Sequence, residues 1–230
     1  MRSSPLALLL LLTLATGAVF ALWPELDLMG AAFFHGQDGF PGDAPALKAL
    51  RAALFFLPAA VMGAAAALWL AARLGAPLPE RLRPTGRSLA FMTLSLALGP
   101  GLLVNVALKD HWHRPRPVQV QEFGGPLEFR PWFRTDGGCA KNCSFVSGET
   151  SGAFWLAAPA SLAPPPLRLP AMAAALAIGA LTGGLRVAFG GHFLSDALLA
   201  GLFTLLLITV LQRLIFSKDK QGLRGDDPHL

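Results

Sequence analysis

Charge is scarce in this sequence. Asp, Glu, Lys and Arg together make up 14% of its 230 residues, against about 25% in ordinary soluble domains. So few charges cannot cover a water-exposed surface, which excludes an ordinary soluble globular protein. Cysteine is scarcer still. The two present, Cys139 and Cys143, have no His close beside them and make a poor metal site. No internal repeat is visible, which removes the solenoid architectures.

Apolar sequence is what the chain has in abundance. Hydrophobic residues reach 53% and gather in six runs: Pro5–Trp23, Ala52–Arg73, Ser88–Leu108, a shorter Ser151–Ala163, Leu169–Ala188 and Phe193–Phe216. A membrane-crossing helix needs about 20 apolar residues, because each adds about 1.5 Å across a core roughly 30 Å thick. The fourth run reaches a useful length only if its helix starts near Ser147. The expected fold is all-α: an integral-membrane bundle of six helices over 5–23, 52–73, 88–108, 147–163, 169–188 and 193–216. One domain over 1–216 is followed by a polar tail, 217–230. The first run also has features of a signal peptide, namely Arg2, a Leu-rich centre and small residues at 15–18. Its length favours a retained helix.

Short cytoplasmic loops collect Lys and Arg. Arg73, Arg81, Arg83 and Arg87 lie between the second and third runs, Arg168 precedes the fifth, and Arg213, Lys218, Lys220 and Arg224 end the chain. In a six-helix topology these fall on one side, with Arg2. Glu25, Asp27, Asp38, Asp43 and the long loop 109–146 fall on the other. The termini are therefore expected in the cytoplasm and the long loop outside. The net charge of +5 is explained by topology and a phosphate site, and needs no nucleic-acid partner. On the oxidising side, Cys139 and Cys143 are expected to form a disulfide, with free thiols as the alternative.

Three polar clusters reach the outward ends of helices at the same depth: KDHWHRPRP from Lys109, CSFVSGETSG from Cys143, and RVAFGGHFLSD from Arg186. Lys109, Arg116 and Arg186 are cations suited to phosphate oxygens. Ser147 and Gly148 offer a hydroxyl and backbone N–H groups at a helix start. His192 and Asp196 are spaced to share a helix face, so that the carboxylate orients the imidazole as a nucleophile. Taken singly each has a plainer reading. Lys109 and Arg114 read as juxtamembrane cations that snorkel or meet head groups, Ser147 with Glu149 as an N-cap, and His192–Asp196 as structural. Their convergence on one face favours a phosphoryl-transfer pocket.

These residues resemble the type 2 phosphatidic-acid phosphatase superfamily, which also holds the vanadium haloperoxidases. Its signature runs K-x6-R-P, P-S-G-H and S-R-x5-H-x3-D. Lys109 with Arg116-Pro117 matches the first part; Arg186, His192 and Asp196 match the third, with Leu185 in place of Ser; Ser147 and Gly148 match the second. Glu149 stands where the family has its second-motif His. The resemblance implies a six-helix bundle with its site at the outer membrane interface. Lys109, Arg116, Arg186, Ser147 and Gly148 would bind phosphate, His192 would become phosphorylated, Asp196 would orient it, and no metal or other cofactor would be required. The family His protonates the leaving group. Here Glu149 is the catalytic candidate, with His111 or His113 as alternative acids, or a substrate whose leaving group departs without help.

The implied function is a lipid phosphatase of a bacterial inner membrane, its site facing the periplasm. The implied substrates are lipid A, undecaprenyl pyrophosphate or phosphatidylglycerol phosphate, with the lipid A type favoured. The alternatives are a lipid phosphotransferase using the same site, and an inactive member that binds or transports phospholipid. The loop aromatics Phe123, Phe129, Trp132 and Phe133 either lie on the membrane or pack over the bundle.

Overall fold

Helix α1 starts where its sequence dictates. Ser4 Oγ accepts the Ala7 N–H at 3.2 Å, and Pro5 occupies the first helical position, where its missing N–H costs nothing. The structure, a computed structural model, describes residues 4–109 and 111–216. The tail 217–230 and Arg2 lie outside the described residues. Helix α1 (Pro5–Leu22) is followed by α2 (Glu25–Ala32), which forms within the stretch expected as a loop; Glu25 and Asp27 in its first turn suit the helix dipole. Helix α3 (Pro45–Arg73) begins well before the expected Ala52, so Lys48 and Arg51 are helical.

Helix α4 (Gly86–Leu96) is capped by Thr85 and runs on as a π-helical segment, Ala97–Leu108. Pro100 lies inside that segment and has no N–H to give, and the register closes with Lys109 N–H on the Val104 carbonyl at 3.1 Å. The expected single helix over 147–163 is instead two short pieces, α5 (Gly148–Phe154) and α6 (Ala157–Ser161). Pro159 explains the break: it has no N–H for the Trp155 carbonyl and crowds it, so that carbonyl accepts from Ala158 at 2.8 Å instead. Helices α7 (Pro165–Ala188) and α8 (Leu194–Phe216) complete the bundle.

The protein is thus all-helical, and among the described residues only isolated bridges take β geometry. Five stretches are long and apolar enough to cross a membrane: α1, α3, Glu80–Leu108 (α4 with its π-helical continuation), α7 and α8. Leu11 and Leu14 of α1 are 64% and 71% exposed, an apolar face suited to lipid. Helices α5 and α6 are instead largely buried, α5 against α3, α7 and α8, and α6 against α4, α7 and α8. Trp155 at their junction is fully buried, and its Nε1–H donates to Ser95 Oγ at 2.9 Å. The long loop packs over the bundle end. Trp132 Nε1 donates to the Gly17 carbonyl at 3.0 Å, and Phe129 meets Phe193 edge-on at 5.1 Å.

Candidate active site

The turn between α7 and α8 carries His192. Gly190 takes φ +62°, a left-handed conformation that favours glycine. A Cβ on Gly191 would lie 2.3 Å from Arg186 Nη2, so this glycine lets the guanidinium lie against the turn. His192 is 1% exposed. Its Nδ1 sits 2.6 Å from the Ser144 carbonyl. A carbonyl only accepts, so Nδ1 carries the hydrogen and Nε2 keeps its lone pair. The expectation that Asp196 orients this ring directly is corrected: its Oδ2 is 4.0 Å from Nδ1, beyond hydrogen-bonding distance, and a backbone carbonyl does the work. Burial drives the imidazole pKa well below its ordinary value. The charges of Arg186, Arg116 and Lys109 push the same way, opposed by the Ser144 carbonyl. The ring is neutral near pH 7, as a nucleophile must be.

The cations come from three directions. Lys109 ends the π-helical segment, Arg116 begins the loop, and Arg186 lies in the last turn of α7. Asn142, held at φ +52°, ties two of them together. Its Oδ1 accepts from Lys109 Nζ at 3.3 Å and from Arg116 Nη2 at 2.9 Å, and its carbonyl accepts from Arg116 Nη2 at 2.7 Å. A Cβ on Gly148 would lie 2.5 Å from Asn105 Oδ1 and 3.2 Å from Lys109 Nζ, so the start of α5 abuts the lysine with no room for a side chain. Ser147 caps α5: its Oγ accepts from Thr150 N–H at 3.4 Å and from Thr150 Oγ1 at 2.7 Å. Six of the seven site positions of the family signature, Lys109, Arg116, Ser147, Gly148, Arg186 and His192, thus meet around one end of the bundle with Ser144 and Asn142, and the seventh, Asp196, stands behind them.

Glu149 faces the cations. Arg51 Nε donates to its Oε2 at 2.9 Å and Arg51 Nη2 to its Oε1 at 2.5 Å, while Arg186 Nε lies 3.5 Å from Oε1. A carboxylate forked in this way is held ionised and has no proton to release. His111 and His113 turn to backbone, Nδ1 lying 3.1 Å from the Ala107 carbonyl in one and 3.0 Å from the Cys139 carbonyl in the other. Cys139 and Cys143 are joined by a disulfide, their Cα atoms 5.7 Å apart, which closes the loop holding Asn142. Among the described residues, no three His, Cys, Asp or Glu side chains are grouped to hold a metal ion.

Behind His192 is a dry charge cluster that the sequence did not reveal. Arg114, read as a snorkelling cation, is fully buried; this corrects the expectation. Its Nη1 donates to Asp196 Oδ1 at 2.5 Å and its Nη2 to Asp27 Oδ2 at 2.7 Å. Asp196 Oδ2 accepts from Ser144 Oγ at 2.5 Å and from the Phe193 N–H at 2.9 Å. Asp27 also accepts from Ser195 N–H at 2.8 Å and Ser195 Oγ at 2.7 Å. Asp27 counted in the sequence only as an outward charge. It sits 87 positions from Arg114, and no local spacing could have joined them.

A neutral imidazole with a fixed tautomer and three cations near it, at one end of a helix bundle, has the parts that phosphoryl transfer requires. The PAP2 superfamily model matches residues 88–220, more than half the chain. The chain is 38% identical over 223 residues to a lipid A 4'-phosphatase of Rhizobium leguminosarum, covering 89% of this chain and 93% of that protein. It is 42% identical over 133 residues to a lipid A 4'-phosphatase of Francisella tularensis subsp. novicida (57% and 60% covered), and 38% over 221 residues to one of Rhizobium etli (89% and 84%). No solved structure matches. The chain belongs to the PAP2 superfamily and is a membrane lipid phosphatase.

Proposed function

We propose that this enzyme removes the 4'-phosphate of lipid A, or of a lipid A precursor, through a phosphohistidine on His192. The observation that carries the mechanism is the cluster of Lys109, Arg116 and Arg186 beside a histidine whose Nδ1–H is committed to the Ser144 carbonyl. The substrate rests on the similarity to three lipid A 4'-phosphatases, two of them aligned over nearly the whole chain. In the first step the Nε2 lone pair forms a bond to phosphorus while the phosphorus–oxygen bond to the sugar breaks. The sugar oxygen leaves and takes up a proton from solvent. In the second, water attacks phosphorus, the nitrogen–phosphorus bond breaks, and inorganic phosphate departs with the imidazole restored. The cations hold the phosphoryl oxygens, and Gly148 lets the chain approach them closely.

A secondary sugar hydroxyl is a poor leaving group, so a 4'-phosphate does not relax the need for a proton. Glu149 forked by Arg51 is not its source in the resting site; its position supports a role in bridging Arg51 and Arg186, whose like charges it offsets.

For topology, α5 with α6 is proposed as the fourth of six crossings within one domain over 1–216. This pair returns the chain from the site end to the end where Arg73, Arg87, Arg168 and Arg213 gather. By the positive-inside rule that end is cytoplasmic, together with both termini, and the site opens at the periplasmic interface of the inner membrane. The test is to incubate detergent-purified protein with bis-phosphorylated lipid A, undecaprenyl pyrophosphate and phosphatidylglycerol phosphate. Phosphate release and the mass-spectrometric position of the lost group are then read. Loss confined to the 4'-position of lipid A is the expected result. Turnover of only the other two lipids overturns the substrate assignment, and a phosphorylated lipid product in place of free phosphate points to a phosphotransferase.

A further inference from the structure

We infer that Asp27 is a positioning residue of the reaction, one that restores to the back of His192 a negative charge that Arg114 has cancelled. The inference rests on the His192 nucleophile proposed above. When Nε2 bonds to phosphorus and Nδ1 keeps its hydrogen, the ring becomes cationic. In catalytic triads a carboxylate stabilises such a ring. Here Asp196 stands in that place, 4.0 Å from Nδ1, but its charge is matched by the fully buried Arg114 at 2.5 Å. Asp196 and Arg114 alone form a neutral pair, and the ring would face Arg116, Arg186 and Lys109 with only Glu149, itself forked by Arg51, opposing them. Asp27, 2.7 Å from the other Arg114 nitrogen, returns the cluster to a net charge of −1. All three side chains are fully buried, where charges are weakly screened.

The connection from the cluster to the ring is continuous. Asp196 Oδ2 accepts from Ser144 Oγ, and the Ser144 carbonyl takes the imidazole hydrogen. Asp27 also fastens the start of α8, through Ser195 N–H and Oγ. Asp27 lies on α2, outside residues 88–220 matched by the superfamily model, so this charge is supplied by a part of the chain beyond the matched core.

The experiment compares full-length wild type, Asp27→Asn, Asp27→Asn with Arg114→Met, and His192→Ala, purified in detergent. Phosphate release from bis-phosphorylated lipid A is measured at several concentrations, with thermal unfolding as the check on folding. Asp27→Asn is expected to lower kcat about tenfold with KM within about twofold, the scale of one charge acting across several ångströms at an effective dielectric near 20. The double variant leaves Asp196 as the cluster's one charge, restores −1, and is expected to recover most of the lost kcat. A purely structural Asp27 predicts the reverse, the double variant being slower than the single one. That result, or an Asp27→Asn protein with full kcat, overturns the inference. Should Asp27→Asn fail to fold, the double variant decides by itself: kcat within about tenfold of wild type supports the inference and any larger loss overturns it, on the same electrostatic scale. His192→Ala separates the two layers. If it keeps activity, the nucleophile assignment fails and the inference with it; if it is inactive while Asp27→Asn is unaffected, only the inference fails.

Discussion

Two Arg–carboxylate clusters flank His192, and they differ in where they keep their charge. The inner one, Asp27–Arg114–Asp196, is wholly buried. The outer one joins Arg51, 42% exposed, to Glu149, 14% exposed, with Arg186 beside them. The same two functional groups therefore do opposite things. In the inner cluster neither charge can be lost without stranding the other in a dry interior, so the cluster fixes geometry. In the outer one water solvates Arg51 as the pair opens, so the contact can be exchanged for a substrate oxygen at little cost.

Four changes test that contrast, from the largest effect to the smallest. His192→Ala removes the proposed nucleophile, and lipid phosphate release is expected to fall by at least about ten-thousandfold, the scale of losing such a group. The fold should survive, which thermal unfolding checks. Arg114→Ala is expected to destabilise the protein by about 3–5 kcal/mol, because it leaves two buried carboxylates unpaired. Loss of folded protein in detergent measures it, and a fully stable variant would erase the distinction between the clusters. Arg51→Ala is expected to leave stability within about 1 kcal/mol, while raising KM several-fold as the mouth loses a cation. A double-mutant cycle with Glu149→Gln measures the coupling, expected at about 0.2–1 kcal/mol for so exposed a pair.

The fourth concerns pH. The His192 pKa is lowered by burial, by Arg186, Arg116 and Lys109, so protonation of the nucleophile sets in only at acidities beyond the usual imidazole range. The acid limb of kcat/KM is expected below the ordinary value of about 6.5. Changing Arg116 to Gln removes one of the lowering charges and should move that limb upward.

The sequence made the cations, the His192 turn and Glu149 legible, because each motif is contiguous and the count of apolar runs brings them to one end. It did so for a physical reason: in a bundle of crossing helices, order along the chain nearly determines which ends are neighbours. The partners of those residues were hidden. Ser144 acts through a backbone carbonyl, which no side-chain pattern marks. Arg51 and Glu149 are 98 positions apart, and Arg51 was placed outside its helix because apolarity alone marked the start at Ala52. Arg114 reads as a snorkelling cation because a cation beside a membrane run is ordinarily solvated, and only the fold brings Asp27 and Asp196 to it. Pro159 was visible in the sequence, and the break it makes between α5 and α6 follows from elementary backbone chemistry.

That break has a consequence for how deep the chemistry takes place. From Gly148 to Ser161 the chain climbs roughly 20 Å at about 1.5 Å per residue, well short of a hydrocarbon core of roughly 30 Å. Its far end is anchored at Ser161, whose Oγ accepts from Gln212 Nε2 at 3.2 Å. If that end is level with those of its neighbours, a lipid substrate would not have to leave its leaflet to reach the start of α5; its phosphate would only have to dip.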